Sequence, residues 1–221
     1  AGATDATFTI PSASTADAGS YSVVVSNAKG SATSTAANLT VLLPPSITAQ
    51  PVAQSVDAGK TATFSVAVSG TAPFTYQWRK DASPLSGAVA ASLSLPNVGT
   101  ADAGAYDVVV SNAAGSTASS PAALTVNPVV LVSPAAVSLF TGDACTFTAQ
   151  VLGNANQGVN WAASAGSISG GAFTAPATAG RVTVTASSLA DASRSASATA
   201  TVRGTDFDGN SASTPMLLGF A

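Results

Sequence analysis

The chain has 221 residues, only 8% of them charged, with 7 Lys or Arg, 10 Asp, no Glu and no His. Three small residue types, 48 Ala, 31 Ser and 26 Thr, make up almost half of it. This excludes imidazole chemistry, from His-based triads to imidazole zinc sites, most two-carboxylate schemes and a basic nucleic-acid footprint.

Strong helix formers are scarce, while alternation of apolar and polar residues is good. Residues 1–43 open the chain with the run Thr15-Ala16-Asp17-Ala18-Gly19-Ser20-Tyr21, followed by three valines. Residues 44–127 begin at Pro44-Pro45 and read as a series of short strands. An A-region lies near Ser46–Asp57, and strand B at Lys60–Val68 puts Ala62, Phe64, Val66 and Val68 on one face. Strand C is Phe74–Lys80, E is Ala91–Leu95, F is Ala105–Ser111 and G is Ser116–Val126. Residues 5–41 align without gaps on residues 90–126, at an offset of 85, and more than half of the pairs are identical. The first copy therefore holds only strands E, F and G. Three strands cut from a sandwich leave an open apolar face. Ala1 is expected not to be a biological start, with upstream residues or strands of another chain completing the module.

Residues 128–203 follow a related plan. Ala144–Val151 matches strand B, placing Phe147 on Phe64, and Val159-Asn160-Trp161 matches strand C. Val182, Val184 and Ala186 alternate with Thr183, Thr185 and Ser187, and 190–201 alternates well enough to be a closing strand. Residues 204–221 are read as the start of a further module. The proline-containing links at Leu43–Ser46 and Val126–Val129 predict an extended, semi-rigid string. No apolar run is long enough for a membrane span.

Residues 44–127 resemble immunoglobulin-like domains of the intermediate type, as found in tandem in large secreted bacterial proteins. Trp78 matches the strand C core tryptophan of that family, and Asp102-Ala103-Gly104-Ala105-Tyr106 matches its tyrosine corner. Asp17 and Tyr21 repeat the corner in the first copy. The family's disulfide positions fall on Phe64 and Val108, an apolar pair. Residues 128–203 are similar to another bacterial Ig-like subgroup, with Gly166-Ser167-Ile168 before Phe173-Thr174-Ala175-Pro176 and no tyrosine corner. The resemblance implies an all-β fold of tandem antiparallel β-sandwiches.

No residue is assigned to catalysis or to an organic cofactor. Asp17 and Asp102 read as turn-holding residues rather than catalytic acids. Trp78, Trp161, Phe64, Val108 and Phe147 read as core, in preference to sugar-binding platforms for the two tryptophans. Cys145, two residues before Phe147, reads as inert core. Asp206, Asp208 and Asn210 match the first three oxygen ligands of a calcium loop. The segment resembles the opening of a dockerin-like module, but Ser211 and Leu217 stand where the loop needs Gly and a bidentate acid. The expected function is a non-catalytic spacer and presentation segment of an extracellular, secreted or cell-surface bacterial protein. Its expected partners are neighbouring domains of the same longer chain. The alternatives are an adhesin segment binding a host or polysaccharide ligand, and an accessory module of a secreted enzyme.

Overall fold

The computed structural model describes residues 3–204, and apart from two short 3-10 turns its regular structure is all strand. In chain order the strands up to residue 127 are β1 (Gly19–Tyr21), β2 (Val24–Asn27), β3 (Gly30–Thr33), β4 (Ala37–Leu39), β5 (Ser46–Ala49), β6 (Gln54–Asp57), β7 (Ala62–Ser65), β8 (Ala67–Ser69), β9 (Thr75–Lys80), β10 (Ser83–Pro84), β11 (Ser92–Leu95), β12 (Gly104–Asn112), β13 (Gly115–Ala118) and β14 (Ala122–Asn127). The rest are β15 (Val129–Ser133), β16 (Ala136–Phe140), β17 (Ala144–Thr146), β18 (Thr148–Leu152), β19 (Val159–Ala163), β20 (Ser167–Ser169), β21 (Ala172–Thr174), β22 (Gly180–Ser188) and β23 (Ser195–Arg203). The described residues form two compact units: 3–52, Phe64–Leu93 and Tyr106–Pro121 in the first, and Ala53–Thr63, Ser94–Ala105 and 122–204 in the second.

In the first unit, β12 pairs antiparallel with β9 from Tyr106↔Lys80 to Ser111↔Thr75. On its other edge, β12 forms a hairpin with β13. Period-two alternation sends Tyr106, Val108 and Val110 to one face, where all three are buried. Phe64 stacks on Tyr106 at 5.0 Å and meets Trp78 at 6.2 Å between ring centroids. Burying three aromatic side chains supplies much of the driving force for this unit. The first copy forms the small sheets β1–β4 and β2–β3. Residues 6–10, matched to strand E, form no strand. In the second copy the matching Ala91 carbonyl accepts a hydrogen bond from Val66 N at 3.1 Å. Among the described residues no strand plays the part of β7 and β8 for the first copy.

The expected long strands are interrupted. Strand G splits into β13 and β14 around Ser119–Pro121, and the A-region splits around Pro51, because proline cannot donate to a ladder. At the G break, Ser119 Oγ accepts from Val108 N and Ser119 N donates to Val108 O. Ser34 makes the same pair of bonds with Val23 in the first copy, separating β1 from β2. A side-chain oxygen thus replaces a ladder carbonyl at matched positions in both copies.

In the second unit, β16, β23, β22 and β19 form one sheet, with β16 parallel to β23. β20, β21 and β17 form another. Their inner faces enclose Phe147, Phe173, Val182, Val184, Ala198, Ala200 and Val202. β15 pairs antiparallel with β18, and β6 pairs parallel with β14. Small Ala side chains suit the close-packed positions between the larger ones. Gly171, at φ +90°, permits the turn that brings its carbonyl to Phe147 N at 2.8 Å.

Candidate functional site

Chemistry-bearing side chains with the fullest partner sets lie at turns and at joints between segments. In the first unit, Leu43 and Thr71 exchange hydrogen bonds. Thr71 N donates to Leu43 O at 3.0 Å, and Leu43 N donates to Thr71 Oγ1 at 2.8 Å. Asn112 Nδ2 donates to the carbonyls of Leu43 and Thr71, both at 2.7 Å. Its Oδ1 accepts from Ala114 N at 2.9 Å, which fixes the amide orientation in the tight β12–β13 turn. A Cβ on Gly70 would come within 2.6 Å of Pro44 O, and its φ is +126°. The proline-containing segment is therefore pinned to two loops by both backbone and side chain.

Arg79 and Asp107 form a bidentate ion pair across β9 and β12 through Nε and Nη2. The hydrogen bond from Arg79 to Asp107 holds the guanidinium pKa above its usual range. Asp107 is among the buried polar residues. Arg79→Ala leaves this acid without its partner, and is expected to cost about 1–3 kcal/mol, read from chemical denaturation.

In the second unit, Arg194 Nη1 donates to Asp57 Oδ1 at 3.0 Å, across 137 residues of sequence. Its Nε lies 3.8 Å from Asp191. Gly153, at φ +72°, sits where a Cβ would approach Ala58 Cβ to 2.5 Å. Asp191 accepts from Ser193 Oγ at 2.6 Å and Ser193 N at 3.0 Å, which lowers its pKa below the ordinary 3.8, with Arg194 adding a smaller contribution. Asp17 is lowered by Ser14 N and then by Ser14 Oγ, at 2.9 and 2.8 Å. Both folded values lie below the unfolded value. The stability these groups contribute is therefore fully present above the ordinary Asp range, and is lost as the pH falls through the folded values. Ser193→Ala is expected to move the Asp191 titration midpoint up toward 3.8, measured by carboxyl-carbon NMR.

Tyr21 Oη donates to Asp17 O at 2.6 Å, closing the corner in the first copy. In the second copy, Asp102 accepts from Gly99 N at 2.8 Å and Tyr106 is buried against Phe64. Trp78 is buried and its Nε1 donates to Ala90 O at 2.9 Å. Phe64, Val108 and Phe147 are buried. Trp161 is half-buried, because it lies at the margin of two apolar clusters and packs against both. Cys145, expected in the core, is half-buried too. It pairs with Phe173 on the three-residue β17, and the ladder breaks at Phe147 before β18 begins. Asp206, Asp208 and Asn210 lie outside the described residues. Among the described residues no three His, Cys, Asp or Glu side chains gather as metal ligands, and no helix is long and apolar enough to cross a membrane.

Residues 44–112 match the family model described as immunoglobulin domain. Over 87% of this chain and 76% of the other, the fold superposes on the I-band fragment I67–I69 from titin, with a TM-score of 0.54 at 20% identity. The chain carries immunoglobulin-like domains in tandem. Among curated proteins it is similar to a decoration protein of Escherichia phage T5, 44% identical over 34% of this chain and 48% of that one. It is also similar to the muscle M-line assembly protein unc-89 of Caenorhabditis elegans, 42% identical over 53% of this chain and 2% of that one. A third relative is human Roundabout homolog 3, 32% identical over 66% of this chain and 11% of that one. The chain thus spans about half of the phage protein and a small part of the other two.

The Arg79–Asp107 pair, the Asn112 clamp and the Asp57–Arg194 bridge carry no local sequence signal, since each joins residues 28 or more apart. The one usable cue was the recurrence of Ser-Asn-Ala-x-Gly-Ser at Ser26 and Ser111.

Proposed function

We propose that this chain is a non-catalytic spacer and presentation segment of a large extracellular protein, secreted or held at a cell surface. Its modules are 44–127 and 128–203, preceded by the strands of a further one. The observation that carries this reading is the Leu43–Thr71–Asn112 clamp. Three hydrogen bonds fix the linker residue Leu43 to two loops and a fourth ties those loops to each other, an arrangement suited to limiting bending between modules. The disulfide-free core, with Phe64 and Val108 at the bridge positions, and the match to a phage protein support a bacterial setting.

Adhesion is the second reading. It is favoured by the similarity to Roundabout homolog 3 and to a frog protein named cell adhesion molecule-related/down-regulated by oncogenes. A glycan array and a cell-binding assay with the whole chain separate the two. The spacer reading expects no saturable binding. A saturable glycan or cell ligand would overturn it in favour of adhesion.

A further inference from the structure

Of the nine asparagines in the chain, one opens an Asn-x-Ser/Thr triplet whose middle residue is not proline: Asn38-Leu39-Thr40. That triplet is the acceptor signal for joining a glycan to the asparagine amide of an extracellular protein. In a chain this rich in Ser and Thr a three-residue match arises easily by chance, so the surroundings of Asn38 decide its meaning.

The structural roles that asparagine fills elsewhere in the chain are absent at Asn38. The Oδ1 atoms of Asn27, Asn112, Asn154 and Asn156 each accept from the backbone N–H two residues on, which shapes a turn. Asn127 Nδ2 donates to Ser55 Oγ at 3.0 Å. Asn38 instead lies in the middle of β4, a setting in which asparagine is disfavoured. It is exposed, and its side-chain amide makes no hydrogen bond among the described residues. The fold does not need an amide here, since the 85-residue counterpart is Ala123.

Alternation places the triplet outward. Leu39 is half-buried between exposed Asn38 and exposed Thr40, so amide and hydroxyl share the solvent face of the strand. In the second copy Ala122 and Leu124 are buried, while Ala123 and Thr125 are exposed. The outward placement therefore holds in a copy that has β7, β9 and β11 around it. The cross-strand partners are small: Ser20 is opposite Asn38, and Ser55 is opposite Thr125. A bulky substituent on this face meets no large side chain at the paired positions.

We infer that Asn38 is an acceptor site for an N-linked glycan, with Thr40 as the hydroxyl that the transferase reads. The donor is a lipid-linked diphospho-oligosaccharide. Asn38 Nδ2 forms a bond to C1 of the first sugar and gives up one proton. The C1–O bond to the diphosphate breaks, and the lipid diphosphate leaves with the bonding electron pair. Nothing is oxidised or reduced. The inference rests on the extracellular setting proposed above.

The test is secretion of the whole chain from yeast behind a host signal peptide, followed by intact-mass and peptide mass spectrometry with and without peptide-N-glycosidase. The secreted chain is expected to carry one glycan that the enzyme removes, leaving an Asn-to-Asp mass change at position 38. Asn38→Gln and Thr40→Ala are expected to abolish the glycan, and Thr40→Ser to keep it. All three side chains point to solvent, so unchanged circular dichroism is expected. Ala123→Asn, which completes the same triplet before Leu124 and Thr125, is expected to add a second glycan. A secreted chain without enzyme-sensitive mass would overturn the inference, as would a glycan that persists in Asn38→Gln or Thr40→Ala. Failure of Ala123→Asn to gain a glycan would overturn the claim that this strand face admits one. The assay supplies the secretory route itself, so a negative result bears on Asn38, whereas the spacer reading stands or falls on ligand binding.

Discussion

Trp78→Ala lowers the unfolding free energy of the first unit by about 3–5 kcal/mol, the range for removing a large aromatic from a close-packed core. Three losses combine in this one substitution. The indole is fully buried, so its transfer free energy is forfeited. The Phe64 ring, 6.2 Å away between centroids, loses its neighbour and a cavity remains. The Ala90 carbonyl, which accepts from Trp78 Nε1 at 2.9 Å, is left without that donor. Trp78→Phe restores part of the volume but not the donor, and its loss is expected to be smaller. Val52→Ala, at an exposed position, is expected to stay within about 0.5 kcal/mol of the parent. Urea denaturation followed by far-UV circular dichroism gives all three values. Equal losses for Trp78→Ala and Val52→Ala would show that the Trp78–Phe64–Tyr106 cluster does not hold this unit together.

Gly171→Val is the second large effect, and it falls on the second unit. Gly170 and Gly171 both have positive φ, at +56° and +90°. Only one is also crowded. A Cβ on Gly171 collides with the Phe147 carbonyl oxygen and comes within 3.5 Å of Trp161 Cζ2, whereas a Cβ on Gly170 meets nothing within 4 Å. Gly171→Val adds left-handed backbone strain, at about 1–3 kcal/mol, to a steric clash of similar size. It also pulls apart the Phe147 N to Gly171 O bond at 2.8 Å, which ties β21 to the strand B segment. A loss of about 3–5 kcal/mol is expected for Gly171→Val, against about 1 kcal/mol for Gly170→Ala. Differential scanning calorimetry of the two variants checks the ordering. Equal losses would place the constraint in backbone conformation alone.

Much of this fold is legible in the sequence because period-two alternation marks which residues face inward. Phe64, Trp78, Tyr106 and Val108 follow from it, and the 85-residue repeat multiplies the signal. Strand breaks are less legible. Ser119 and Ser34 end their ladders through a side-chain oxygen, and nothing in a run of Ser, Thr and Ala marks which serine does so. Cys145 shows what parity leaves out: counting by twos places it on the inward face with Phe147, and the alternation of burial holds from Ala144 to Val151, but the count gives the face and not the depth, and Cys145 is only half-buried. The joints are the least legible. Arg79–Asp107 requires knowing the β9–β12 register, and Asn112 reaches a carbonyl 69 residues away. Such pairs depend on tertiary geometry, which neither composition nor spacing encodes.

The spacer account rests on links that keep successive modules apart. Small-angle X-ray scattering on the whole chain in solution tests this most directly. A single globule of 221 residues has a radius of gyration of about 17 Å. The account predicts a value well above that, together with the long-tailed distance distribution of a string of modules, and a further rise in flexibility when Asn112→Ala removes two of the four hydrogen bonds of the clamp. A radius near 17 Å with a symmetric distance distribution would contradict it.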